Sequence, residues 1–299
     1  MLDGFEFTIK DQNLVVKLHD NILLEFVQHA NTATGEVKSY TAEYKGLKFK
    51  TFPSGRIVVE GSFHKFYNDG VHNYDDFCIE KLVKVIDSLQ NTFDLNPEIV
   101  HINNLEFGVN ITPEFAPDTF INNLLCFKWR QFNLIEIKGP GYGKECKGSS
   151  QYFVKIYNKG SQNHLQENIL RIEKKVISMC ALNLKTLKLS NLNEKIYLSD
   201  LTNPALWHHC KNELIAMFND VVFDEPIDIN ALTRTEQKNY NKVLIQSNWK
   251  YFSRDQRKRN KKAFSDIIDK YGKEQYRPII LKLINEKFAE LIINKIATF

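Results

Sequence analysis

The sequence predicts an α+β protein, with an N-terminal antiparallel sheet and flanking helices over residues 1–190 and a smaller all-α domain over 191–299. Three observations predict it. Through about residue 176, short apolar runs alternate with polar residues at period two, the mark of half-buried strands. Beyond about residue 191, apolar residues recur at helical spacing behind residues suited to capping helices. The chain has 299 residues, 43% hydrophobic and 25% charged, which is the composition of a globular protein long enough for two cores.

Residues 5–63 are mostly strand-like, with apolar runs in NLVVKL, KGLKFKTF and GRIVVEGSF. Segments 45–52 and 56–63, joined by Pro53-Ser54-Gly55, read as a β-hairpin with a glycine-containing turn. A polar connection over 64–73 leads to a helix in which Phe77, Leu82, Val85, Ile86 and Leu89 recur at helical spacing, with Asp75 or Asp76 as cap and Pro97 as stop. In the strand that follows, Leu105, Phe107, Val109 and Ile111 share one face, and Asn104, Glu106, Gly108 and Asn110 the other. Pro113 and Glu114 open a helix to about residue 127. A strand over 132–138 then enters a glycine-rich loop carrying Lys138, Lys144 and Lys147, without the GKS/T ending of a Walker loop.

In QYFVKIYNKG, residues 151–160, alternation sets Phe153, Lys155, Tyr157 and Lys159 on one face and Tyr152, Val154, Ile156 and Asn158 on the other. Residues 169–176 form a further strand with Arg171, Glu173 and Lys175 on one side. Helices follow: one from Asn203-Pro204, one over about 229–249, one capped by Ser253, and a last over about 274–296.

The net charge of +4 permits a nucleic-acid partner without requiring one, because local clustering of Lys and Arg matters more than the sum. Cys78, Cys126, Cys146, Cys180 and Cys210 are widely spaced, odd in number and form no CxxC pair. They fit reduced thiols in a cytoplasmic protein rather than a disulfide framework or a zinc site. No apolar leader opens the sequence and no run approaches the length of a membrane span.

Three stretches carry chemistry, each with two open readings. Tyr157 between Lys155 and Lys159 suits a phenol meeting a phosphate, and also suits an ordinary strand with a solvated lysine face. Glu106 and Asn110 on either side of Gly108 make an oxygen-rich surface of the kind that takes Mg²⁺ or Mn²⁺, open where glycine leaves space; the alternative is a polar outer face with a bulge. Arg254, Arg257, Lys258, Arg259, Lys261 and Lys262 oppose the dipole at a helix N-terminal region, which a bound polyanion would offset; a solvated surface helix is the alternative. The loop lysines Lys144 and Lys147 suit contacts to a nucleic-acid backbone or a plain surface hairpin.

Taken in order, HKFYNDGVHN at 64–73, the strand bearing Asn104, Glu106, Gly108 and Asn110, the strand bearing Lys155, Tyr157 and Lys159, and the strand bearing Arg171 and Glu173 resemble motifs of a known family. The chain resembles replication initiators of the filamentous-phage gene II type and, more distantly, plasmid rolling-circle initiators, over roughly residues 45–180. The resemblance implies an HUH-related fold and a DNA-nicking endonuclease that forms a 5′-phosphotyrosyl bond. Carried over, Tyr157 is the nucleophile and Lys155 or Lys159 supplies positive charge. Glu106 holds Mg²⁺ or Mn²⁺ with Asn110, Glu173 and a histidine, His72 or His101, and Arg171 orients Glu173 or binds phosphate. Origin DNA, single-stranded or cruciform, and a host helicase and polymerase are the implied partners. The sequence departs from the family pattern in having Glu106 for Asp, Asn110 for an acid and Asn104 for Arg, and it has no HxH pair. A non-catalytic DNA-binding replication regulator is therefore the alternative.

Overall fold

Period-two alternation in the first part of the chain builds one large antiparallel sheet. The computed structural model describes residues 1–135, 143–182, 187 and 195–293. Its strands are β1 (Leu2–Lys10), β2 (Val27–Ala30), β3 (Val37–Tyr44), β4 (Leu47–Thr51), β5 (Arg56–Ser62), β6 (Ile102–Ile111), β7 (Leu124–Phe127), β8 (Arg130–Gln131), β9 (Asn133–Leu134), β10 (Gly143–Lys147), β11 (Tyr152–Asn158), β12 (Leu170–Val176) and β13 (Val221–Phe223). Among the described residues ten of them pair in the order β2-β3-β4-β5-β1-β6-β12-β11-β10-β9, while β13-β7-β8 form a separate small sheet. The helices are α1 (Gln12–His19), α2 (Phe63–Tyr67), α3 (Ile79–Phe93), α4 (Pro117–Asn122), α5 (Lys159–Gln162), α6 (Pro204–Asn219), α7 (Arg234–Leu244), α8 (Arg254–Tyr271) and α9 (Tyr276–Ile293). The α+β class is as expected.

The apolar side of β6 is the centre of the core. Leu105, Phe107, Val109 and Ile111 are buried, and α6 and α9 pack against this strand. Trp207 and Phe218 of α6 and Ile280, Ile284 and Phe288 of α9 belong to the same buried cluster as the sheet. Each such side chain contributes on the order of 1.5–3 kcal/mol on burial. A second, smaller cluster joins Tyr240 and Val243 of α7 and Phe264, Ile267 and Ile268 of α8 to Cys126 and Val222 of the small sheet. The helices after 191 thus divide between two cores, and the expected boundary near 190 lies outside the described residues.

Several elements match expectation: the β4–β5 hairpin, β6, β11, β12, α6 capped by Asn203, and α8 capped by Ser253. Others are corrected. The run NLVVKL is helix α1, because Asp11 caps it and Leu14 and Leu18, one turn apart, are both buried. The helix expected over 113–127 is only α4, with Pro117 in its first turn; the next residues are β7, pulled into a strand by β13. Asp75 and Asp76 do not cap α3, whose cap position is Cys78 without a side-chain bond. The helix expected over 229–249 shortens to α7, which Thr233 and Glu236 start as a capping box. Lys159 begins α5 and so leaves the alternation of β11. Lys138 lies outside the described residues.

Candidate functional site

Strand register assembles the site. Tyr157 of β11 lies opposite Arg171 of β12, which lies opposite Asn110 of β6. One step along, Lys155, Glu173 and Gly108 align, and one step further Phe153, Lys175 and Glu106. Alternation puts all nine on the face opposite Leu105 and Phe107. Gly108 does not leave the expected open space: a Cβ there would come 2.4 Å from Ile172 O and 2.6 Å from Glu173 Cβ. Glycine is required because β12 lies so close.

The neighbouring strand β1 adds a residue that sequence reasoning missed. Leu2 pairs with Phe107 and Phe5 with Leu105, so Asp3 and Gly4 together face Glu106. This bulge turns Asp3 into the site, a common use of bulges. Arg171, fully buried, spends its guanidinium there: Nη2 donates to Asp3 Oδ2 at 2.6 Å, Nη1 to Asn110 Oδ1 at 3.2 Å and Nε to Glu173 Oε2 at 2.6 Å. Of the two expected roles, orienting Glu173 and binding phosphate, the contacts made here are to Glu173, Asp3 and Asn110. The Tyr157 hydroxyl donates to the same Glu173 Oε2 at 3.1 Å. Lys155 Nζ lies 3.1 Å from Glu106 Oε1 and 3.2 Å from Glu173 Oε1, and Lys175 Nζ 2.8 Å from Glu106 Oε1.

Burial and charge compete at each titratable group. Burial would raise the Glu173 pKa, but Arg171 and Lys155 outweigh it and hold the carboxyl at about 2. Burial drives the Tyr157 phenol well above its ordinary value against the pull of Arg171, so it is protonated at neutral pH. Burial brings Lys159 down to about 8, with Arg171 acting in the same sense. Lys159 Nζ lies 5.7 Å from the centre of the Tyr157 ring, so it keeps its place near the phenol although it is off the strand.

A polar strap closes one end of the site. Asn73 donates to Asp3 Oδ2 at 3.0 Å and accepts from Lys159 at 2.6 Å, and Asn110 donates to the Tyr74 carbonyl at 2.9 Å. Below it, buried His64 Nε2 lies 2.6 Å from Asp75 Oδ1, which also accepts from Asn68 at 2.7 Å. Tyr157 is only 8% exposed, whereas Lys155 and Glu106 side chains are each 20% exposed and Lys175 44%. The site is buried at the tyrosine and open at Glu106, where a groove of ≈ 270 Å³ runs over Gly4 and Gly61 toward Glu60.

No family model and no curated protein matches this chain. Among solved structures, that of a rolling circle replication initiator protein from Geobacillus stearothermophilus aligns with 68% of this chain and 96% of that one, at 14% identity and a TM-score of 0.34. Likeness at that level assigns neither fold family nor activity.

The expected metal ligands do not fit a divalent ion as arranged. Glu106 and Glu173 are both paired to ammonium or guanidinium groups, and Asn110 Oδ1 accepts from Arg171. His72 stands with Asp75, 3.4 Å from its carboxylate, and stacks on Tyr74. Among the described residues no group of three or more His, Cys, Asp or Glu side chains is disposed to hold a metal.

The expected DNA-contacting residues separate into exposed and tied. Arg254, Lys258, Arg259 and Lys262 are exposed along α8. Lys261 is paired with Asp220 at 2.6 Å, and Arg257 turns toward the Trp249 carbonyl at 3.5 Å. Lys144 donates to the carbonyls of Asn122 and Leu124, at 2.9 and 3.3 Å, while Lys147 is exposed. Among the described residues no helix is long and apolar enough to cross a membrane.

Asp3, Asn73, His64 and Asp75 are the site residues that sequence reasoning missed. The last three lie in or beside HKFYNDGVHN, whose density of polar residues in a short connection was the available signal. Asp3 had none, since a bulge is invisible in alternation.

Proposed function

We propose that the chain is a DNA-nicking and strand-joining enzyme of the rolling-circle initiator type, with Tyr157 as nucleophile. The observation that carries this reading is the Tyr157 hydroxyl donating 3.1 Å to Glu173 on the strand face where Lys155, Arg171 and Asn110 also converge. In the proposed step the phenol proton passes to Glu173, the phenolate oxygen bonds to phosphorus, and the bond from phosphorus to the 3′-oxygen breaks. Arg171 steadies the negative charge that develops on the phenolate oxygen. Lys159, brought to about 8 and 5.7 Å from the Tyr157 ring, would give the departing oxygen its proton, leaving a free 3′-hydroxyl. Because Glu173 is held at about 2 it is a weak base, and the strap bearing Asn73 must swing away before a phosphate reaches Tyr157. A host helicase would then unwind the duplex while a host polymerase extends the freed 3′-hydroxyl.

A second reading is a DNA-binding regulator without catalysis. The closed, fully paired environment of Tyr157 and the exposed cations of α8 favour it. One experiment separates the two. The protein is incubated with single-stranded fragments covering its replicon, with and without Mg²⁺ or Mn²⁺, and covalent adducts are sought on denaturing gels. The nicking reading expects an adduct that Tyr157→Phe abolishes. If the wild type forms none on any fragment under either condition, Tyr157 is not a nucleophile. Salt-steep binding that Tyr157→Phe leaves unchanged then supports the regulator.

A further inference from the structure

Glu106 on β6 and Glu173 on β12 direct one carboxylate oxygen each toward a single point, and Lys155 on β11 fills that point with its ammonium, 3.1 Å from one oxygen and 3.2 Å from the other. The second Glu173 oxygen is held by Arg171 and Tyr157, so the carboxylate cannot rotate away. The Lys155 and Glu106 side chains are 20% exposed, which leaves room for water on the outer side. Two carboxylate oxygens around one partly solvated point supply part of the donor set of a divalent-cation site, whose ligands stand roughly 2.0–2.6 Å from the ion, while Lys175 Nζ, 2.8 Å from Glu106 Oε1, touches the Glu106 side alone. A tethered ammonium occupies the centre instead, and a divalent ion placed there would meet its charge at contact distance.

We propose that Lys155 is the built-in cation of the Glu106–Glu173 pair, standing where a divalent metal would otherwise be held, and that removing its charge converts the pair into a Mn²⁺ or Mg²⁺ site. The inference concerns side chains that the nicking reading also uses, but it does not depend on nicking. Its test reads metal binding, so either can fail alone.

Full-length protein is titrated with Mn²⁺ while the electron paramagnetic resonance signal of the free ion and the melting temperature are followed. The wild type is expected to leave the signal unchanged and to melt at the same temperature with millimolar Mn²⁺. Lys155→Met and Lys155→Gln are expected to bind about one equivalent and to melt higher by about 3 °C or more, or to fold only when Mn²⁺ is added. Adding Glu106→Gln should abolish that gain. Wild-type binding that Glu106→Gln or Glu173→Gln removes would overturn the proposal. So would folded Lys155 variants that bind no Mn²⁺.

Discussion

Replacing Arg171 with methionine tests the central network most directly. Methionine approximates the aliphatic stem of arginine but leaves Asp3 and Glu173 as buried carboxylates without their guanidinium. Breaking a buried pair by removing one partner costs about 3–5 kcal/mol. The Glu173 carboxyl points the same way: burial pushes its pKa up, but Arg171 and Lys155 outweigh burial and hold it down at about 2. Because the folded-state value is depressed, this stabilisation is complete above about 4.5 and is lost as pH falls toward about 2. In the variant, burial remains and the guanidinium does not, so both carboxyls move upward and take protons readily when folded. Urea unfolding at pH 7 should therefore show the variant less stable by about 3–5 kcal/mol, with the gap to wild type narrowing toward pH 4. A gap below about 1 kcal/mol, or one that stays constant with pH, would refute the assignment of Arg171 as the charge that organises the site.

Gly108→Ala should lower stability by about 1–3 kcal/mol in thermal melts, because the new methyl meets Ile172 O at 2.4 Å and β6 and β12 must part; a change within experimental error would mean the strands have slack there. Lys258→Glu with Arg259→Glu should weaken single-stranded DNA binding and reduce the slope of log K against log salt by about 0.7 for each phosphate no longer neutralised, measured by fluorescence anisotropy. An unchanged slope would remove α8 from the DNA-contacting surface. Lys261→Glu, in contrast, should lower the melting temperature as well, since Lys261 is paired with Asp220.

The strand faces were legible because alternation is local. Lys155, Tyr157, Arg171, Glu173, Glu106 and Asn110 were placed on faces correctly from sequence, and pairing in register then brought them together. What could not be read is what tertiary packing decides. Alternation says that Glu106 and Glu173 are polar positions, but not that Lys155 and Lys175 neutralise them. Glycine at 108 looked like open space, and only the approach of β12 shows it to be crowding relieved. Residues 124–127 carry an apolar pattern that fits the end of a helix or a strand, and a distant partner, β13, settles which. Of the basic residues between 254 and 262, helical geometry alone did not tell which would find acidic or carbonyl partners.

The sharing of one core between the sheet and α9 bears on how the protein is made. The apolar side of β6 is covered in part by a helix that begins at Tyr276, so a chain emerging from the ribosome must be extended more than 160 residues past β6 before that face is shielded. Until then the central strand presents exposed apolar surface, the usual substrate of chaperones and the usual seed of aggregation. Products that stop short of α9 should accumulate as insoluble or degraded material, and synthesis of this protein should depend on chaperone supply more than its length alone suggests.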